Sequence, residues 1–168
     1  MIHYQYIESP VDPLLLAADE NGLHLIEFHT PRHPMSRLAD WLEGTNPILE
    51  ATRVQLDEYF TGSRKEFDLP LAPAGTEFQK EVWHTLATIP YGQTISYAQL
   101  AQRVGKPTAM RAVGAANGRN PLPIVLPCHR VIGADGSLTG FGGGLATKQF
   151  LLQLEDALPP ATDLFTSA

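Results

Sequence analysis

Cys128 is the single cysteine in 168 residues, and it stands in Pro127-Cys128-His129-Arg130. A lone thiol cannot close an internal disulfide and is too few for a cysteine-rich metal centre. Two readings of it follow from the residues. Cys128 is a small buried hydrophobe, as many unpaired cysteines are, or it is a nucleophile whose ionisation is tuned by His129, Arg130 and a distant carboxylate. The apolar run Pro121-Leu122-Pro123-Ile124-Val125-Leu126 precedes it, and burial there opposes thiolate formation, so a nucleophile needs a base. Glu155, beside Leu151, Leu152 and Leu154, is either the carboxylate that orients such a histidine or an exposed helix-end charge next to Asp156.

Charge is unevenly spread. The net charge is −6, with 18% charged and 43% apolar residues, as in an ordinary soluble globular chain. Residues 1–81 carry −8 and residues 82–168 carry +2, and residues 82–134 hold no Asp or Glu. That acid-free stretch carries Arg103, Lys106, Arg111, Arg119 and Arg130. Charges beyond about 10 Å are largely screened at about 0.1 M salt, so five local cations can hold phosphates on an acidic protein. The alternative is a chance asymmetry. Phosphate binding of this kind is modest and salt-sensitive. No stretch approaches the roughly 18 apolar residues of a membrane span, and Met1-Ile2-His3-Tyr4 opens without a basic leader, so a cytoplasmic protein is expected. A reducing compartment suits the free thiol. His3, His24, His29 and His33 read as surface or strand residues, and no metal is expected. Gly142-Gly143-Gly144 lacks the lysine and strand-to-helix context of a nucleotide loop.

The elements that must position these residues follow from pattern. Residues 14–18 and 23–28 flank Asn21-Gly22 as a β-hairpin, with Leu23, Leu25 and Glu27 alternating against His24, Ile26 and Phe28. Residues 46–61 form a helix capped by Asn46, with Pro47 at its first position, Leu49, Leu56, Tyr59 and Phe60 at helical spacing, and Gly62 ending it. The charged, proline-bearing connection 62–75 divides the chain into domains 1–75 and 76–168. Thr76-Glu77-Phe78-Gln79 is a capping box opening a helix through Phe78, Val82, Leu86 and Ile89, with Trp83 packing and His84 on the surface. A helix over 97–104, the turn Gly105-Lys106-Pro107 and a second helix over 109–117, capped by Thr108, make a helix-turn-helix pattern. Ala109, Ala112, Gly114, Ala115 and Ala116 suit either tight helix packing or close approach to a DNA groove. The fold class is an α/β N-terminal domain followed by an α-rich C-terminal domain.

Pro127-Cys128-His129-Arg130-Val131, then Gly143-Gly144-Leu145-Ala146, Lys148 and Glu155, resemble the active-site half of the O6-alkylguanine-DNA alkyltransferases. Tyr91-Gly92-Gln93-Thr94-Ile95-Ser96-Tyr97, Ala109-Met110-Arg111-Ala112-Val113-Gly114 and Asn120-Pro121 fit the same family in order and spacing. The match is dense over 78–155 and a matter of pattern before that. The resemblance implies a monomeric, cofactor-free DNA repair protein. It moves an alkyl group from O6 of guanine, and from O4 of thymine, irreversibly onto its own Cys128. It also implies a ribonuclease H-like N-terminal domain of small antiparallel sheet plus helix. Some relatives bind zinc through N-terminal cysteines, and residues 1–127 have none.

Site roles are carried over by the same resemblance. Cys128 is the nucleophile, His129 its base through a bridging water, Glu155 the orienting carboxylate, and Tyr97 the donor to the departing base. Val131, Phe141, Gly142, Gly143 and Lys148 belong to the substrate pocket, with the Cys128 and Val131 carbonyls accepting from the exocyclic amine. Phe141 replaces a tyrosine of many relatives, and Gly142 a serine of some. The partner is double-stranded DNA bound through its minor groove by the second helix, with the damaged nucleotide flipped out. Arg111 fills the vacated stack, and Ala112, Tyr97, Arg119 and Asn120 complete the DNA-binding set, Asn120 also tying that helix to the active-site segment. Three rivals stand beside this reading: a cysteine hydrolase that turns over, a non-catalytic relative with tryptophan in place of the cysteine, and a regulator whose cysteine is incidental. Cys128 speaks against the second.

Overall fold

The computed structural model describes residues 1–29 and 38–158. His33 and the tail 159–168 lie outside the described residues. The N-terminal half is a four-stranded sheet of β1 (His3–Ile7), β2 (Leu14–Asp19), β3 (Gly22–Glu27) and β4 (Leu42–Glu43), in the order β3-β2-β1-β4. β1/β2 and β2/β3 are antiparallel, but β4 adds to β1 in parallel, so the sheet is mixed rather than purely antiparallel as expected. The expected hairpin forms, but its turn residues are Glu20 and Asn21, with Gly22 already paired to Asp19 as the first residue of β3.

Its facing differs from simple alternation. The pairing runs Ala17↔Leu25 and then Ala18↔Leu23, so His24 is the extra residue of a β-bulge. Leu23 therefore joins Leu14, Leu16, Ile26 and Phe28 in the main core, while Leu25 packs with Leu15 and Ala17 on the opposite face. An inserted residue reverses the period-2 facing beyond it, which the alternation Leu23, Leu25, Glu27 did not anticipate.

Helix α1 (Pro47–Phe60) begins as the sequence dictates. Asn46 accepts from the Leu49 N–H at 2.9 Å, and its amide donates to the Ala18 carbonyl at 3.0 Å, anchoring the helix to β2. Leu49, Thr52, Leu56 and Tyr59 form its buried stripe. The connection that follows lies along the open edge of β3: Leu23 N–H donates to the Pro70 carbonyl and Ala72 N–H to the Leu23 carbonyl, both at 2.8 Å.

The second half packs α2 (Glu77–Leu86), α3 (Tyr97–Val104) and α4 (Met110–Gly118) against one another, with α5 (Leu145–Leu154) closing the site. The Thr76/Gln79 box caps α2, and a second box, Ser96/Gln99, caps α3. Gly105, at φ 83°, takes the left-handed conformation that ends α3. Thr108 does not cap α4. The helix starts one residue later, after Ala109, with no side-chain cap. Trp83 is buried and donates Nε1–H to the Ala116 carbonyl at 2.8 Å, locking α2 onto α4. β5 (Ile95–Ser96) and β6 (Val131–Ile132) pair in parallel, which joins the start of α3 to the segment just after Cys128.

Candidate active site

The segment leading to Cys128 is built around Asn120. Its amide donates to the Leu126 carbonyl at 2.7 Å while its oxygen accepts from the Leu122 N–H at 2.9 Å. Ile124 lies between these ties at φ 75°, a conformation a β-branched residue adopts only when its surroundings impose it. Ile26 N–H donates to the Pro121 carbonyl at 2.9 Å, so strand β3 braces the same segment. Asn120 was expected both among the DNA-binding set and as the tie to the active-site segment. It is buried, and both ends of its amide are bonded within the protein, as the tie requires.

A 3-10 turn, Cys128–Arg130, then presents the thiol and imidazole. Cys128 is 7% exposed, and burial pushes its thiol up to about 11 against weaker downward pulls from the Asn120 amide and the Lys148 charge. His129 is fully buried, and its Nε2 lies 2.7 Å from Glu155 Oε2. A carboxylate only accepts, so Nε2 carries the hydrogen and Nδ1 keeps a lone pair. Among the described residues that Nδ1 is buried without a hydrogen-bond partner.

Glu155 caps the end of α5 and is buried, which removes the reading of an exposed helix-end charge. Burial alone would raise its pKa. The hydrogen bonds and charges of His129 and Arg130 override that and hold it at about 2. Burial presses His129 below its ordinary value despite that carboxylate, so the ring rests neutral. Arg130 donates Nε to Glu155 Oε1 at 2.8 Å, one terminal nitrogen to Oε2 at 3.0 Å and the other to the Ile89 carbonyl at 2.6 Å. It was counted both among the cations that hold phosphate and among the groups that tune Cys128, and it is the buried counter-charge of this carboxylate. The resting group is a neutral thiol beside a neutral imidazole with a compensated carboxylate behind it.

Above the thiol sits a second layer. Lys148, fully buried, donates to the Val131 carbonyl at 2.6 Å and the Thr139 carbonyl at 2.9 Å, and lies 6.0 Å from the Tyr97 ring centre. Burial lowers its ammonium to about 8. Tyr97, half-buried at the start of α3, donates its hydroxyl to the same Thr139 carbonyl at 3.1 Å. The Val131 carbonyl thus has one of its two lone pairs engaged by Lys148. Phe141 is buried against Phe28 of the N-terminal half, ring centres 5.4 Å apart. A Cβ on Gly143 would meet that Phe28 ring at 2.8 Å, so the backbone at Gly143 lies against it, while Gly142 faces open space.

On the outside, α4 buries Val113, Ala116 and Asn117 and exposes Arg111, Ala112, Ala115 and Arg119. Of the five cations in the acid-free stretch, Arg130 is internal and Lys106 stands 3.6 Å from Glu81, just outside that stretch.

Residues 77–157 match the family model of the 6-O-methylguanine DNA methyltransferase DNA-binding domain, and residues 2–73 match that of its ribonuclease-like domain. The chain is 52% identical over 155 residues to a methylated-DNA–protein-cysteine methyltransferase of Methanosarcina barkeri, covering 92% of this chain and 98% of that one. The chain belongs to the 6-O-methylguanine DNA methyltransferase family. The likeness to family members continues in three dimensions. The crystal structure of Mycobacterium tuberculosis O6-methylguanine methyltransferase superposes with a TM-score of 0.85 at 44% identity, covering 98% of this chain and 99% of that one. The mycobacterial protein in complex with DNA gives 0.84 at 44% identity, covering 97% and 99%. Among the described residues no helix is long and apolar enough to cross a membrane.

Three participants in this family member's site were not read as such from sequence. Tyr59 counted only as a core position of α1, yet its hydroxyl donates to Glu155 Oε2 at 2.6 Å across 96 residues. Phe28 and Thr139 likewise depend on contacts between distant segments, for which local pattern carries no signal.

Proposed function

We propose that this protein repairs alkylated DNA by moving the alkyl group from O6 of guanine, and from O4 of thymine, onto Cys128 in a single irreversible turnover. What carries the reading is the buried Cys128-His129-Glu155 arrangement in a chain that belongs to this family. Cys128 Sγ attacks the alkyl carbon. The C–S bond forms as the C–O6 bond breaks, and the bonding pair leaves with the guanine. His129 Nδ1 takes the thiol proton through a bridging water, Glu155 stabilises the imidazolium, and Tyr97 donates to the departing base. In the net balance the thiol proton ends on guanine. Burial keeps the resting thiol protonated, so deprotonation is coupled to attack.

Residues 76–168 act as the DNA-binding and acceptor domain and residues 1–75 as its support. The α3-turn-α4 unit is the helix-turn-helix, α4 entering the minor groove. Its exposed small residues let the backbone approach, and Arg111 fills the stack vacated by the flipped nucleotide. Phe141, Gly142, Gly143, Val131 and Lys148 enclose the base. The protein acts as a cytoplasmic monomer without cofactor.

The test is intact mass after mixing with an oligonucleotide containing O6-methylguanine. The expected product is one added CH2 per protein, on the peptide containing Cys128, with repair stopping at one equivalent. A thioether has no mild hydrolytic exit. Consumption of substrate beyond one equivalent, or mass on another peptide, favours a hydrolase instead.

A further inference from the structure

We propose that Tyr59, on α1 of the N-terminal half, is a positioning residue of alkyl transfer: its hydroxyl orients the Glu155 carboxylate that fixes the His129 tautomer. The proposal rests on the reading of Cys128, His129 and Glu155 given above. Glu155 Oε2 receives three donors, Tyr59 Oη at 2.6 Å, His129 Nε2 at 2.7 Å and an Arg130 terminal nitrogen at 3.0 Å. Three donors on one oxygen restrict the carboxylate's rotation, and with it the direction in which His129 holds Nδ1.

Tyr59 is itself immobile. It is fully buried between the rings of Phe60, Phe67 and Tyr91, with centres 5.4, 5.6 and 6.4 Å away. Packing at this position asks only for a ring, which phenylalanine supplies, and the hydroxyl is the additional element. It touches Glu155 and lies on α1, so it acts on the chemistry from behind. Burial and the neighbouring carboxylate push the phenol above its ordinary value, so it stays a donor.

The charged and titratable groups around His129 are Glu155 at the end of α5, Arg130 on its own turn, Lys148 of α5 and the adjacent Cys128. Those around Glu155 add Tyr59 of α1 and Tyr91, between α2 and β5. Tyr59 draws negative charge from Oε2. Removing the hydroxyl leaves a more basic carboxylate, which holds an imidazole proton more firmly and raises the His129 pKa. The acid limb of the transfer rate then moves to higher pH.

The test is Tyr59→Phe in the full chain, with ¹⁵N-histidine NMR and single-turnover transfer followed across pH. We expect transfer from free O6-benzylguanine and from duplex O6-methylguanine to slow by a similar factor, about ten- to a hundredfold by analogy with outer hydrogen bonds that orient metal-ligating histidines. Duplex affinity is expected to stay put and the His129 titration to move upward. A wild-type rate with an unmoved His129 titration overturns the proposal, whatever the variant's thermal stability. Should Tyr59→Phe fail to fold, 3-fluorotyrosine at the same position keeps the shape and strengthens the donor. The His129 titration must then move down, and an unmoved one also overturns the proposal. A wild-type protein that never alkylates Cys128 overturns the functional reading instead, while the His129 titration still decides the Tyr59 coupling.

Discussion

At Glu155, four N–H and O–H donations from Tyr59, His129 and Arg130 converge on one buried carboxylate. A buried charge survives only when it is paired and hydrogen-bonded, and this one is both. Glu155→Gln keeps the shape and removes the charge. Transfer should slow by orders of magnitude, on the scale of the roughly 10⁴ lost when the aspartate behind a serine-protease histidine is neutralised. Stability carries a second signature. The folded carboxylate sits at about 2 against an ordinary 4.5, so its contribution is fully present above 4.5 and is lost as pH falls toward 2. His129, held below its ordinary value, acts in the same direction because the unfolded chain takes up its proton first. Urea unfolding over this range should show the gap between wild type and Glu155→Gln narrowing as pH falls. A gap independent of pH would place the ionised carboxylate elsewhere.

Two kinds of element work on the site, one facing outward and one inward. Helix α4 turns Val113 and Ala116 into the core and presents Arg111 to solvent. Among the described residues no hydrogen bond or ion pair joins Arg111 to the Cys128 turn. If Arg111 fills the vacated stack as proposed, Arg111→Ala should impair repair of a lesion within duplex DNA while leaving attack on free O6-benzylguanine near the wild-type rate, because only extrusion would need it. Equal loss on both substrates would show that Arg111 supports the pocket. The inward elements are the 120–127 segment and its 3-10 turn. Asn120 and the strained Ile124 hold the thiol at a set depth, so Asn120 belongs to the scaffold.

The two halves of the molecule share the site. Strand β3 braces Pro121, Phe28 lies under Phe141 and Gly143, and α1 sends Tyr59 to Glu155. Contact between Phe28 and Gly143 leaves no room for a methyl group. Gly143→Ala should lower stability by about 1–3 kcal/mol, the usual cost of overpacking, and slow transfer by displacing the loop. In the Phe28→Ala background the added methyl should cost far less. A double-mutant cycle reads this coupling between halves directly, and additive effects would show that the loop avoids the ring by moving freely. At this scale charge also resolves: a chain of net −6 presents Arg111 and Arg119 to solvent on the α4 surface while Arg130 is spent internally.

Helix boundaries were legible in the chain because their causes are local. Asn46-Pro47, Thr76 with Gln79 and Gly105 each satisfy or end a helix within a few residues of themselves. Cys128 could be singled out because it has no other cysteine to pair with. The bulge at His24 was not legible, since it reflects how β3 meets β2 and the core rather than its own alternation. Thr108 had the right chemistry for a cap and the wrong position by one residue. Sequence could name Cys128, His129 and Glu155, yet it left Glu155 open between a surface charge and a buried partner. Burial is a property of the assembled chain. Only the packed structure puts Tyr59 within 2.6 Å of a carboxylate 96 residues away and decides between the two readings of Arg130 by making it that carboxylate's counter-charge. Hydrogen bonds between distant segments are set by how the layers close, and no local pattern of residues encodes that closure.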